Sequence, residues 1–244
     1  MCLRAGWPRY LARWNTEMTE LERLSREALH GDHYVERFAN DRQVARVARL
    51  ARRIELPADA VVLDVGCGTG ILASLLASRY GAYTGVDFSQ AMVNEAQEIA
   101  AAKGLQHCEF VCTDAFDVMR DCPDAFDAIF MLDISEHVPD EEWAGIVRGA
   151  RHALKPGGIV YLHTPNLDFF IERLKQHGWI KQFPEHVAVR TARANMRFFK
   201  DADYGVVDCT TLPHYNVLRW LHPLTALPFV GRFFAARLWI AASR

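Results

Sequence analysis

The feature that most constrains this chain is a short apolar run ending in a carboxylate and three closely spaced glycines, Val61-Val-Leu-Asp-Val-Gly-Cys-Gly-Thr-Gly70. A buried strand followed by a GxGxG turn reverses sharply into the next helix and keeps Cβ atoms away from whatever the turn faces. Turns that bind dinucleotides place the third glycine one residue later, where it seats a helix against a pyrophosphate. Here that glycine comes early and Asp64 stands beside the turn. A carboxylate in that place suits a ligand with a cationic group and repels a pyrophosphate.

The pattern then repeats along the chain. Strand-like 83–87 precedes helical 90–103; further strands are expected at 108–112, 128–132 and 159–164, with a helix over 140–154. Regular alternation of apolar strand and helix predicts a parallel, doubly wound α/β sheet. Asp87, at the end of the second strand, can accept both hydroxyls of a ribose, and Thr113-Asp114-Ala115 after the third can meet an adenine edge. Such groups at the carboxyl ends of successive strands form the switch-point arrangement for an adenosine ligand. Ahead of this core, 17–29 and 35–50 have helical apolar spacing. Behind it we expect a helix to about residue 176, another over 191–199, a strand at 205–211 and a last strand within 233–242, at a sheet edge.

Composition narrows the class. The chain has 244 residues, half hydrophobic and 24% charged, which gives one domain with additions and excludes disordered, collagen-like and disulfide-scaffold chains. An acidic middle lies between basic flanks, although the formal charge is only −2. The 6 Cys show no CxxC pair, as expected of reduced thiols in a cytoplasmic protein. No apolar run reaches the roughly 18–20 residues of a membrane span. The nearest approach, 220–242, is broken by Pro223, Pro228, Gly231, Arg232 and Arg237.

The chemistry-bearing groups follow the fourth strand, in Met131-Leu-Asp-Ile-Ser-Glu-His137. Asp133, Glu136 and His137 converge if a helical turn starts at residue 133. Two carboxylates and an imidazole offer a mixed oxygen and nitrogen site for Mg²⁺ or Mn²⁺, and a free imidazole can take a proton near neutral pH. Both readings stay open here.

The run from Leu63 to Asn166 resembles the class I S-adenosylmethionine-dependent methyltransferases through LDVGCGTG (63–70), GVDFS (85–89), CTDAF (112–116), FDAIFMLDISEHV (126–138) and LKPGG (154–158). The resemblance implies a Rossmann-like, mostly parallel seven-stranded sheet, with N-terminal helices and a helical insertion near the C-terminus. It implies a helical cap over 1–53, a methyltransferase domain over 54–244 and acceptor-side insertions in 166–235. It also implies that Asp64, Gly66, Cys67 and Gly68 line the methionine part of S-adenosyl-L-methionine. Asp87 would hold the ribose, with Phe88 and Met92 nearby, and Thr113, Asp114 and Ala115 the adenine. Arg37 lies where related enzymes close over the cofactor.

The segment 133–137 is similar to the E-x-x-E-H element of the ubiquinone-biosynthesis O-methyltransferases and of small-RNA 2′-O-methyltransferases, where a divalent metal gathers hydroxyls. Asp133 stands in place of the first Glu, one methylene shorter. The RNA enzymes add a His after a TPN-type strand end. Thr164-Pro-Asn166 followed by Pro184-Glu-His186 therefore makes His186 the fourth candidate ligand or acid/base group. The expected activity is O-methylation of a small or lipidic hydroxyl compound. N-methylation, RNA 2′-O-methylation and a regulatory protein that binds cofactor without turnover are the alternatives. Nucleic acid is disfavoured by the pI of about 6.5 and the lack of a dense basic cluster.

The acceptor side is the least legible part. Residues 214–237 gather Tyr215, Leu218, Trp220, Leu221, Leu224, Phe229, Phe233 and Phe234 among few charges. Such a stretch serves as core, as a homodimer surface, as a hydrophobic lid or as a peripheral membrane contact.

Overall fold

The computed structural model describes residues 40–244, so Arg37 and most of the expected N-terminal cap lie outside the described residues. Within them a helix α1 (Asp41–Ala51) is capped by Asn40, whose side chain accepts from the amides of Arg42 and Gln43. The sheet strands are β1 (Val61–Val65), β2 (Ala82–Asp87), β3 (Cys108–Cys112), β4 (Phe126–Leu132), β5 (Leu154–Pro165), β6 (Val206–Leu212) and β7 (Arg237–Ser243). They form one seven-stranded sheet in the order β3-β2-β1-β4-β5-β7-β6. Helices α2 (Ile71–Leu76), α3 (Gln90–Ala102), α4 (Ala115–Asp121), α5 (Asp140–Ala153), α6 (Phe170–Gln176) and α7 (Ala192–Asp201) fill the connections.

The described chain comprises two compact units. The first runs to Ile129 and includes His152–Pro156. In it β1 pairs in parallel with β2 (Leu63↔Thr84), and β2 with β3 (Gly85↔Phe110). Parallel strands of this kind are buried on both faces and read as continuous apolar runs, which is why Val62, Leu63, Tyr83, Val86, Phe110 and Val111 are all buried. Asp127 secures the start of β1, accepting from the Val61 amide at 2.8 Å and from Lys155 at 2.7 Å.

The second unit comprises Phe130–Arg151 and Gly157–Arg244. Here β7 runs antiparallel to both neighbours, with His163↔Trp239 on the β5 side and Leu212↔Arg237 on the β6 side. The last strand is therefore interior and β6 takes the edge, contrary to the sequence expectation. The physical reason is burial: Leu238, Ile240 and Ala242 are buried, whereas β6 carries Asp208 and two threonines that suit an exposed strand. Helix α4 was not among the expected elements. Among the described residues no helix is long and apolar enough to cross a membrane.

Candidate cofactor and acceptor sites

The glycine turn and the strand ends that follow it lie in the first unit. Gly66, Gly68 and Gly70 all have left-handed φ (70°, 51° and 71°), which L side chains adopt only under strain. At Gly70 a Cβ would also meet the Phe110 ring at 2.9 Å, whereas at Gly68 it would meet nothing within 4 Å. Gly70 is thus required by packing and backbone alike, and Gly68 borders open space. The turn is tied down by the Gly66 and Cys67 amides, which both donate to the Val86 carbonyl, at 2.8 and 3.0 Å.

Asp87 closes the turn from the next strand. Its Oδ2 accepts from the Gly68 amide at 3.0 Å and its Oδ1 from the Ser89 amide at 2.9 Å, so it fixes both the loop and the start of α3. Asp64 is buried and hydrogen-bonded to the Tyr83 phenol. Burial pushes its carboxyl up to about 7, with Tyr83 opposing and the charge of Asp87 adding to the rise. Met92 is buried in the first turn of α3, and Cys67 is a buried thiol pushed well up by desolvation, which makes it inert as a nucleophile. Asp114 caps α4, accepting from the Phe116 amide at 2.8 Å, with Ala115 as the first helical residue. Beside it the Thr113 hydroxyl is buried without a hydrogen-bond partner, an unusual state for such a group.

The second unit holds the other candidates. After β4 the chain turns at Asp133, in a left-handed conformation (φ 58°), and enters a 3₁₀ turn over Ser135–His137. This turn begins two residues later than the D-x-x-E-H spacing required for all three groups to converge. Glu136, His137 and His186 do converge: each offers a ligand atom, and these lie within 4.8 Å of one another. Asp133 is not in that group, and its Oδ1 instead lies 2.9 Å from His163 Nδ1 and accepts from Arg237 at 3.0 Å.

The cluster is held from several directions. His137 Nδ1 donates to the Glu185 carbonyl at 2.9 Å, which orients the ring. Ser135 donates to Thr164 at 2.8 Å, and Thr164 donates to Glu136 Oε2 at 3.2 Å. The His137 and His186 rings meet edge to face, 5.0 Å apart. Arg190 is buried and donates to the carbonyls of Ser135 and Val138 and to Asp140, so it clamps the turn. Asn166 is likewise buried, bonding Ala235 and Asp168. Burial, aided by the charge of Asp133, pushes the Glu136 carboxyl up to about 8. Burial and the neighbouring His137 hold His186 down at about 4, and its Nδ1 is buried without a hydrogen-bond partner.

Sequence reasoning gave no site role to His163, Thr164, Tyr215 or Arg237; Thr164 donates to Glu136, and the charge of Arg237 acts on Glu136 and His186. A polar residue inside the apolar run Val160-Tyr-Leu-His163 and a lone cation opening the apolar last strand were the available signals.

The sheet order, the glycine turn after β1 and the carboxylates at the strand ends make this a Rossmann-like α/β fold. Residues 62–158 match the family described as methyltransferase domain. The chain is 39% identical over 144 residues to a ubiquinone biosynthesis O-methyltransferase of Chromobacterium violaceum, covering 59% of this chain and 60% of that protein. For a second protein of that name, from Neisseria meningitidis, the values are 38% over 106 residues, covering 43% of this chain and 44% of the relative. The chain thus spans about half the length of the curated relatives it matches. A SAM-dependent methyltransferase from Archaeoglobus fulgidus shares the fold, with a TM-score of 0.65, 18% identity and coverage of 86% of this chain and 98% of that one.

Proposed function

We propose that this protein is an S-adenosylmethionine-dependent O-methyltransferase acting on a small or lipidic hydroxyl compound. The observation that carries the oxygen acceptor is the Glu136–His137–His186 cluster, in a chain whose curated relatives are named ubiquinone biosynthesis O-methyltransferases. Methyl transfer from a sulfonium is an in-line displacement, so the protein must place the acceptor oxygen and relieve it of its proton.

The cofactor fits the residues of the first unit. The open space at Gly68, the Asp87 carboxylate and the unpaired Thr113 hydroxyl suit the methionine, ribose and adenine parts. Gly66, Cys67, Phe88, Met92 and Asp114 complete the proposed pocket, with Asp64 behind it. S-adenosylmethionine supplies the electrophilic methyl group.

A divalent cation also fits the cluster. One carboxylate and two imidazoles form a mixed donor set, His137 has the carbonyl partner that orients a ligating ring, and His186 Nδ1 has no partner. Two imidazoles are softer donors than Mg²⁺ favours, so Mn²⁺ is the first ion to test. A bound cation would lower the pKa of a coordinated hydroxyl. The chain's own part is to orient: His186, neutral at physiological pH, offers a lone pair, and Thr164 fixes the Glu136 carboxyl.

Peripheral contact with an anionic lipid surface belongs to the same reading. Val217, Trp220 and Phe229 are 74%, 72% and 95% exposed, and no acidic residue lies between Cys209 and Arg244. Arg219 and Arg232 stack over Trp220 and Phe233, the pairing of cation and aromatic that sits at a headgroup boundary. The deciding experiment is calorimetry with S-adenosylhomocysteine, followed by Mn²⁺ titrated into the complex. Product binding with a Mn²⁺ isotherm abolished by His137→Ala supports the whole reading. Product binding without Mn²⁺ binding removes the metal, and no product binding removes the methyltransferase.

A further inference from the structure

Beside the proposed metal ligands, three side chains of the second unit lie in a row that the reading above does not use. His163, in β5, is fully buried. Its Nε2 lies 2.6 Å from the Tyr215 hydroxyl, and its Nδ1 lies 2.9 Å from Asp133 Oδ1. The Nδ1 contact has ion-pair distance without hydrogen-bond alignment. Arg237 completes the group, donating to Asp133 at 3.0 Å and stacking 5.1 Å from the Tyr215 ring centroid.

The strand register builds this row. Arg237 faces Pro165 on β5 and Leu212 on β6, two residues beyond His163 and three before Tyr215. The Asp133 amide bonds the His163 carbonyl at 2.8 Å, and the left-handed backbone at Asp133 fixes the start of its side chain. A non-glycine residue in that conformation is disfavoured and is held there by the contacts around it.

We infer that Asp133, His163 and Tyr215 form a proton relay that presents the Tyr215 hydroxyl as the proton acceptor for the methyl-accepting group. The inference rests on the O-methylation reading above. His163 has no exposed surface, and its partner Tyr215 is partly exposed. The acceptor O–H bond breaks as its oxygen bonds the methyl carbon and the sulfonium S–C bond breaks. The acceptor proton passes to Tyr215 Oη, and the Tyr215 proton passes to His163 Nε2. The imidazolium so formed keeps its Nδ1 proton beside the Asp133 carboxylate, and charging His163 favours alignment of that contact. Asp133 and His163 are positioning residues in this scheme. Arg237 holds the Asp133 carboxylate in place and faces the developing charge on Tyr215.

The relay also accounts for the company these groups keep. Asp133 and Arg237 both act on the Glu136 carboxyl, and Arg237 acts on His186 and His214. The relay therefore lies within electrostatic reach of the cluster proposed to gather the acceptor. Glu172 and Lys175 are the other charged groups acting on Arg237 or His214.

The test uses 4-nitrocatechol, whose ionised and neutral forms differ in visible absorption, added to the full chain saturated with S-adenosylhomocysteine. The buffer is held about one pH unit below the probe's first ionisation in water. The wild type is expected to bind the probe ionised. Tyr215→Phe, which keeps the ring and its packing, is expected to bind it mainly neutral and to lower methyl transfer to unsubstituted catechol by about 10²-fold. The loss on 4-nitrocatechol should be several-fold smaller, because that hydroxyl needs less help. His163→Gln should reproduce both effects, and the double variant should lose no more than either single one. The same bound spectrum in wild type and Tyr215→Phe, or an equal loss on both catechols, overturns the relay alone. Failure of the wild type to bind or methylate either catechol overturns the O-methylation reading and the relay with it.

Discussion

Asp87 and Asp64 illustrate how two carboxylates close in the fold come to do different work. Asp87 is partly exposed and spends its oxygens on two backbone amides, Gly68 and Ser89. Asp87→Ala should raise the dissociation constant of S-adenosylhomocysteine by roughly 10- to 100-fold, the worth of a charge-assisted hydrogen bond plus the loosened turn; unchanged affinity by calorimetry would remove Asp87 from the pocket. Asp64 is buried, and its carboxyl keeps a proton up to about pH 7 that the unfolded chain releases near its ordinary value of 3.8. The folded state then binds more protons between those values, so the Asp64 contribution to stability falls as pH rises from about 4 to about 7 and is level above. On the order of a few kcal/mol is involved. Asp64→Asn should flatten that slope in urea melts at pH 5 and pH 7.5, and an unaltered slope would refute the assignment. Both acids were legible in the sequence as strand-end carboxylates. Their division of labour was not, because it depends on Tyr83, 19 residues away in sequence.

At the scale of elements, the 3₁₀ turn over Ser135–His137 decides what the D-x-x-E-H spacing can build. A continuous helical turn from residue 133 would have brought Asp133 to Glu136 and His137. Instead the left-handed backbone at Asp133 sends that side chain to His163 and Arg237, and His186 arrives from a distant loop to complete the cluster. Arg190 holds the turn through two of its carbonyls and Asp140. Arg190→Ala should lower stability by about 3 kcal/mol, since it removes a buried guanidinium bonded to three acceptors, and should weaken methyl transfer more than product binding. Arg190→Lys should not restore it, because an ammonium cannot span the same three acceptors. Thermal melts beside calorimetry check both statements, and full rescue by Lys would contradict the clamp. The alternating strands were legible from apolar runs between glycine and carboxylate signals. The edge position of β6 was not, because strand order is a matter of which faces the sheet buries.

For the molecule as a whole, the 217–230 segment separates the reading of a lipid-facing protein from that of an ordinary core. Of the sequence-based readings of this stretch, a core is overturned at Val217, Trp220 and Phe229, which stand open to solvent, Phe229 with φ 63°. Trp220→Asp with Phe229→Asp should abolish most co-sedimentation with vesicles containing phosphatidylglycerol while leaving S-adenosylhomocysteine affinity unchanged. Retained sedimentation in the double variant would place the lipid contact elsewhere, and none by the wild type would remove it. The sequence by itself determined the α/β class, the glycine turn and the carboxylates at the strand ends, because those features are local: a strand, its turn and its terminal acid lie within about ten residues. Tertiary structure alone decided that Asp133 turns to His163 and Arg237, and that β7 is interior. These outcomes depend on pairing and burial between segments far apart in the chain, where neither periodicity nor spacing carries information about which partners meet.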